Sequence, residues 1–150
     1  MCQRYMIPNY NTDGILPAGI HMAEWSEIFS RFGYNQYRQD LLFGMQQGLF
    51  ALQKCGCKTV YIDGSFCTSK IIPGDFDICY DDTNIDWELL EKVEPTLLQF
   101  ENQRYAQKVK FKGEFFPFSA IAAKPRTTFI EFFQIDKHTG NPKGIVGLKL

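Results

Sequence analysis

Two aspartates separated by one residue, Asp75 and Asp77, open an apolar run that reads Asp75-Phe76-Asp77-Ile78. Side chains two apart on a strand point to the same face, so this spacing predicts paired carboxylates with Phe76 turned towards the core. Like charges this close raise one pKa unless a cation holds both ionised, and oxygen-only ligands suit a hard ion such as Mg²⁺. Upstream, the β-branched run from Thr59 to Ile62 breaks at Gly64-Ser65. A glycine there lets the backbone come close to a ligand, and a serine that opens a helix leaves N–H groups free to receive phosphate. Thr59 to Tyr80 therefore reads as strand, glycine turn, short helix or loop, strand. Between the strands Thr68, Ser69 and Lys70 are polar candidates, with Lys70 either a point charge for a triphosphate or a solvated loop lysine, and Pro73-Gly74 turns the chain back.

Gly64-Ser65, nine residues, then Asp75-x-Asp77 among hydrophobics resembles the signature of the polymerase-beta-like nucleotidyltransferase superfamily. Further phrases resemble a narrower bacterial and phage family of nucleotidyltransferase-like proteins with no settled substrate: Leu16-Pro17-Ala18-Gly19-Ile20-His21, Asp63-Gly64-Ser65-Phe66, Thr68-Ser69-Lys70, Pro73-Gly74-Asp75-Phe76-Asp77, Phe115-Phe116-Pro117, Phe132-Phe133-Gln134 and Pro142-Lys143-Gly144. The resemblance implies an α/β (α+β) minimal nucleotidyltransferase fold, a small mixed central sheet flanked by helices. It also implies transfer of a nucleoside monophosphate from a nucleoside triphosphate to an acceptor hydroxyl on a protein, a tRNA or a small molecule. Asp75 and Asp77 would hold two Mg²⁺ ions, Gly64 and Ser65 would cradle phosphates with Thr68, Ser69 and Lys70 nearby, and Glu114 would be the third carboxylate. The superfamily more commonly has aspartate there, and the longer glutamate displaces its carboxylate by about one bond length. Asp136 and Glu131 rank behind it, because Asp136 opens a polar loop and Thr128-x-x-Glu131 has the form of a capping box. The alternative is an inactive nucleotide-binding or protein-interaction module in a phage-defence or toxin–antitoxin system. Larger superfamily members carry a helical acceptor-binding domain, so a protein partner or a homodimer is expected to complete the site.

The elements that must position these residues fit one domain. A chain of 150 residues, 45% hydrophobic, is long enough for a single substantial core spanning 1–150. Residues 1–22 form an irregular arm in this reading, punctuated by Pro8, Gly14, Pro17 and Gly19. Helices are expected over Ala23–Phe32, over Gln36–Lys54 with Asn35 as N-cap, and over Asp86–Phe100 with strain at Pro95; further strands are expected over Tyr105–Phe118 and 144–150. Gly44 and Gly48 imply close packing of the long helix. Arg38 and Lys54 lie within reach of a phosphate without being required by it. Phe111, Phe115, Phe129, Phe132 and Phe133 lie at core spacings, with a base platform needing one aromatic that the spacing does not single out.

A net charge of −1 provides no broad field for phosphate backbones, which argues against extended nucleic acid as a partner. Five cysteines at 2, 55, 57, 67 and 79 lack paired or zinc-site spacing and fit a reducing compartment. No basic leader with an apolar core and no run of 18 apolar residues is present, so a cytoplasmic protein without a membrane partner is expected.

Overall fold

The apolar run that precedes Gly64 forms the middle strand of a five-stranded mixed sheet. In the computed structural model, residues 6–123 and 126–150 are described. The strands are β1 (Gly19–Met22), β2 (Thr59–Asp63), β3 (Phe76–Tyr80), β4 (Gly113–Pro117), β5 (Ile121–Ala123), β6 (Thr127–Thr128) and β7 (Gly144–Lys149). The helices are α1 (Trp25–Phe32), α2 (Gln36–Lys54), α3 (Trp87–Val93), α4 (Glu101–Phe111) and α5 (Phe129–Phe133). The main sheet runs β1-β7-β2-β3-β4, and β5 and β6 form a small separate hairpin. β2 is antiparallel to both β3 and β7, whereas β3 and β4 are parallel and joined by a helical crossover, as parallel neighbours require.

Period-two alternation assigns the two faces of the sheet. Val60, Ile62, Phe76, Ile78, Tyr80, Phe115, Val146 and Leu148 join the main core with residues of α1, α2, α3 and α4. Cys79, Phe116 and Ile145 point to the other face, where Ile130 and Phe133 of α5 cover them. The long helix α2 can lie close because it lacks side chains where it crosses its neighbours. A Cβ on Gly44 would lie 2.1 Å from the Phe111 carbonyl oxygen, and one on Gly48 2.3 Å from the Phe115 ring. Both contacts are far inside van der Waals range, as the two-glycine spacing predicts.

Several expectations change. Residues 19–22 are a strand, because β7 offers them a parallel edge, and the irregular arm ends at residue 18. Tyr5 and Cys2 lie outside the described residues. The helix expected over Asp86–Phe100 stops at Val93, and a 3₁₀ turn spans Pro95–Leu98, since proline cannot continue the α-helical ladder. Tyr105 and Val109 lie on α4 and not on a strand. β4 begins only at Gly113, after Lys112 ends the helix in a left-handed conformation, φ 67°.

A buried glutamine fixes this boundary. The Gln107 Oε1 accepts the Phe115 N–H at 2.8 Å, while its amide nitrogen donates to the carbonyls of Leu97 (3.2 Å) and Gln99 (3.4 Å). Asn102, Gln103 and Arg104 at the start of α4 have left-handed backbone, and Arg104 lies 4.0 Å over the Phe116 ring with its Nε donating to the Phe115 carbonyl. Together these contacts set β4 beside β3.

Candidate functional site

Strand register gathers the acidic residues. Asp77 on β3 is paired with Glu114 on β4 and, on its other side, with Asp63 on β2. A row of three carboxylates therefore crosses three neighbouring strands on the sheet face shared with Cys79 and Phe116. Asp75 adds a fourth one step before β3. Carboxylate oxygens of Asp75, Asp77 and Glu114 all lie within 4.8 Å of one another. The paired aspartates and the choice of Glu114 as third carboxylate thus converge in space.

The two ends of the row hold cations and the middle does not. Lys143 Nζ lies 3.1 Å from the Asp63 carboxylate, which is almost wholly buried, and Lys108 Nζ lies 3.3 Å from Glu114. Asp77 makes no ion pair among the described residues. Burial pushes its carboxyl up to about 8, helped by the neighbouring charges of Asp75, Glu114 and Asp63 and opposed by Lys143. Burial also raises Asp63, offset chiefly by Lys143, and raises Asp75, offset by Lys108 and Lys137. Such a cluster is costly as it stands and is relieved by a positive ion at its centre.

Gly64 is the turn that permits this. Its φ of +87° suits glycine, and a Cβ there would meet the Asp77 carboxylate at 2.9 Å and the Asp77 amide nitrogen at 3.3 Å. The close approach is to Asp77 itself. After it, Ser65–Cys67 form a single 3₁₀ turn, shorter than a helix that would present several free amides. The Thr68 hydroxyl donates to the Ser65 carbonyl at 2.6 Å. Arg38 holds this loop from below and is not a phosphate ligand: its guanidinium is fully buried and donates to the carbonyls of Phe32, Phe66, Thr68 and Lys70.

A cleft of about 590 Å³ opens over the Asp63–Asp77 part of the row, lined by Asp63, Gly64, Ser65, Thr68, Lys70, Asp75 and Asp77 together with Phe132, Ile135, Asp136, Lys137, His138 and Lys143. Of the loop residues predicted to face it, Ser69 is placed elsewhere: its amide donates to the Gly14 carbonyl at 2.9 Å. Glu131 accepts from the Thr128 amide (3.2 Å) and hydroxyl (2.7 Å), which is the carboxylate half of the capping box, and Asp136 accepts from the Thr139 hydroxyl at 2.7 Å. Asp136 lines the cleft, but the carboxylate grouped with Asp75 and Asp77 is Glu114. Sequence reasoning gave no role to Asp63, Lys108, Lys137 or Lys143. Asp63 was within reach, since it ends the strand before Gly64, but the lysines come from distant segments and carry no local signal.

The donor set fits a hard divalent ion. Grouped this closely, Asp75, Asp77 and Glu114 could hold a metal ion, and their oxygen ligands would suit a hard one. The fold and site define an α+β domain with a carboxylate centre on the spine of its sheet. A family model described as a family of unknown function, DUF6932, matches residues 8–149, and the chain belongs to that family. No curated protein and no solved structure matches it. Among the described residues, no helix is long and apolar enough to cross a membrane.

Proposed function

We propose that the chain is a metal-dependent nucleotidyltransferase that moves a nucleoside monophosphate from a nucleoside triphosphate to an acceptor hydroxyl. The observation that supports this most is the cluster of Asp75, Asp77 and Glu114 beside the Gly64 turn, with the two aspartates lining a cleft that also carries Lys70, Lys137 and Lys143. Asp75, Asp77 and Glu114 would hold the ions, which supply charge stabilisation at the transferring phosphorus and its leaving group. Lys70, Lys137 and Lys143 would counter the remaining phosphate charge. The acceptor oxygen bonds to the α-phosphorus, the bond from that phosphorus to the bridging oxygen breaks, and pyrophosphate leaves with the electron pair. A carboxylate of the cluster takes the acceptor proton. Gly64 holds the turn against Asp77, and the buried Arg38 keeps the following loop in place.

The test is calorimetric titration of each nucleoside triphosphate with and without Mg²⁺, on wild type and on Asp75→Asn/Asp77→Asn. Mg²⁺-dependent binding that the double variant loses supports the assignment. A wild type that binds none of the four would refute it and favour the protein-interaction alternative.

A further inference from the structure

One wall of the cleft has a feature that metal and phosphate leave unexplained. Phe132 and Ile135 line it with 45% and 46% of their surfaces exposed, while the adjoining Phe133 is buried in the smaller core. The phenylalanines singled out by spacing therefore divide: Phe111, Phe115 and Phe133 fill the interior and Phe129 packs on Phe116, but Phe132 faces the cleft. An aromatic left 45% exposed in a polar cleft forgoes roughly 1 kcal/mol of burial. The ring is nonetheless held, because α5 is fixed by the Thr128–Glu131 cap and Phe132 packs against Phe133 with centroids 5.9 Å apart. The same cleft contains Lys70, Lys137, Lys143 and His138 beside the carboxylates. A ligand that matches all of these surfaces is a polyanion with a flat apolar end. The volume of about 590 Å³ falls within the range of roughly 300–1,000 Å³ typical of small-molecule sites.

Building on the nucleotidyl-transfer reading, we infer that Phe132, with Ile135 beside it, is the platform on which the nucleobase stacks, so that the phosphates run along the lysines to the carboxylates. Stacking engages the face that every base possesses, so the platform itself favours no one base; discrimination would need polar groups at the base edge.

The experiment compares two probes on the full chain in Mg²⁺: each nucleoside triphosphate, and inorganic tripolyphosphate, which has the charge without the base. Base–aromatic stacking contributes about 1–3 kcal/mol by alanine substitution, so Phe132→Ala should weaken nucleoside triphosphate binding by roughly 5- to 100-fold while leaving tripolyphosphate unchanged. Phe132→Tyr should bind like wild type. Phe132→Leu keeps an apolar side chain without a π-face and should lose most of the same affinity, which guards against a folding defect in the alanine variant. Equal losses for both probes, or no loss for nucleotides, overturns the platform. If tripolyphosphate binds with Mg²⁺ and nucleotides bind no tighter, the platform fails and the metal site stands. If neither probe binds the wild type, the nucleotidyl-transfer reading and the platform both fail.

Discussion

Asp77 sits in the middle of a carboxylate row whose counter-charges contact only the two ends, and this predicts an inverted pH response for the metal-free protein. An aspartyl carboxyl normally loses its proton near 3.8, and in the fold Asp77 holds its proton until about pH 8. Between those values the native state binds more protons than the unfolded chain, so this residue's contribution to stability falls as pH rises and levels off above about pH 8. At 1.36 kcal/mol per unit, the span from pH 5 to pH 8 corresponds to about 3 to 4 kcal/mol. Asp77→Asn has no proton to lose and should not pay it. Urea melts of both proteins in chelator at pH 5, 6, 7 and 8 measure the difference directly. Its stability relative to wild type should shift in the variant's favour by about 3 to 4 kcal/mol across that range. Parallel pH profiles would refute the argument, since they would mean that Asp77 is already ionised in the folded protein. The same proton links to metal: at pH 7 the carboxyl is mostly protonated, so a divalent ion bound there should release a proton. Titration in buffers of different ionisation enthalpy counts it.

Other perturbations test the supports of the site. Lys143→Met leaves the buried Asp63 without its partner and should cost about 3 kcal/mol at neutral pH in a urea melt, less in acid as Asp63 takes up a proton. Adding Asp63→Asn should recover most of that loss. Gly48→Ala and Gly44→Ala should each destabilise by about 1–3 kcal/mol, with Gly44→Ala the worse, because a phenylalanine ring can turn away from a methyl group and the Phe111 carbonyl cannot. Lys108→Met removes the internal cation from Glu114, and Mn²⁺ titrated alone should then bind several-fold more tightly than to wild type; unchanged or weaker binding would show that the lysine does not compete with the ion.

Much of the site was legible because its signals are local. A two-residue alternation placed Asp75 and Asp77 on one face, and a strand ending in glycine placed the turn. Thr128-x-x-Glu131 gave the cap that removes Glu131 from contention. Illegible parts depend on partners far away in the chain. Residues 19–22 carry no strand pattern of their own and become one beside β7. The Gln107 side chain decides where α4 gives way to β4, yet the preceding Tyr105–Phe111 stretch alternates well enough to pass for a strand. Lys143 and Lys108 look like ordinary surface lysines until the fold brings them to Asp63 and Glu114. Phe132 shares its spacing with core phenylalanines, yet it lies off the α5 face that buries Ile130 and Phe133 in the smaller core.

Asp63, Asp77 and Glu114 are part of the hydrogen-bonded sheet, whereas the facing wall is built from a five-residue helix and the loop after it. This division makes the two halves of the cleft separately changeable. Altering the spacing of Asp77 and Glu114 would mean breaking strand register and, with it, the main core. Altering the opposite wall requires only new side chains on α5 and residues 135–143. A family built on this plan can change the wall that faces the carboxylates by drift in that short segment while the carboxylate row stays in place.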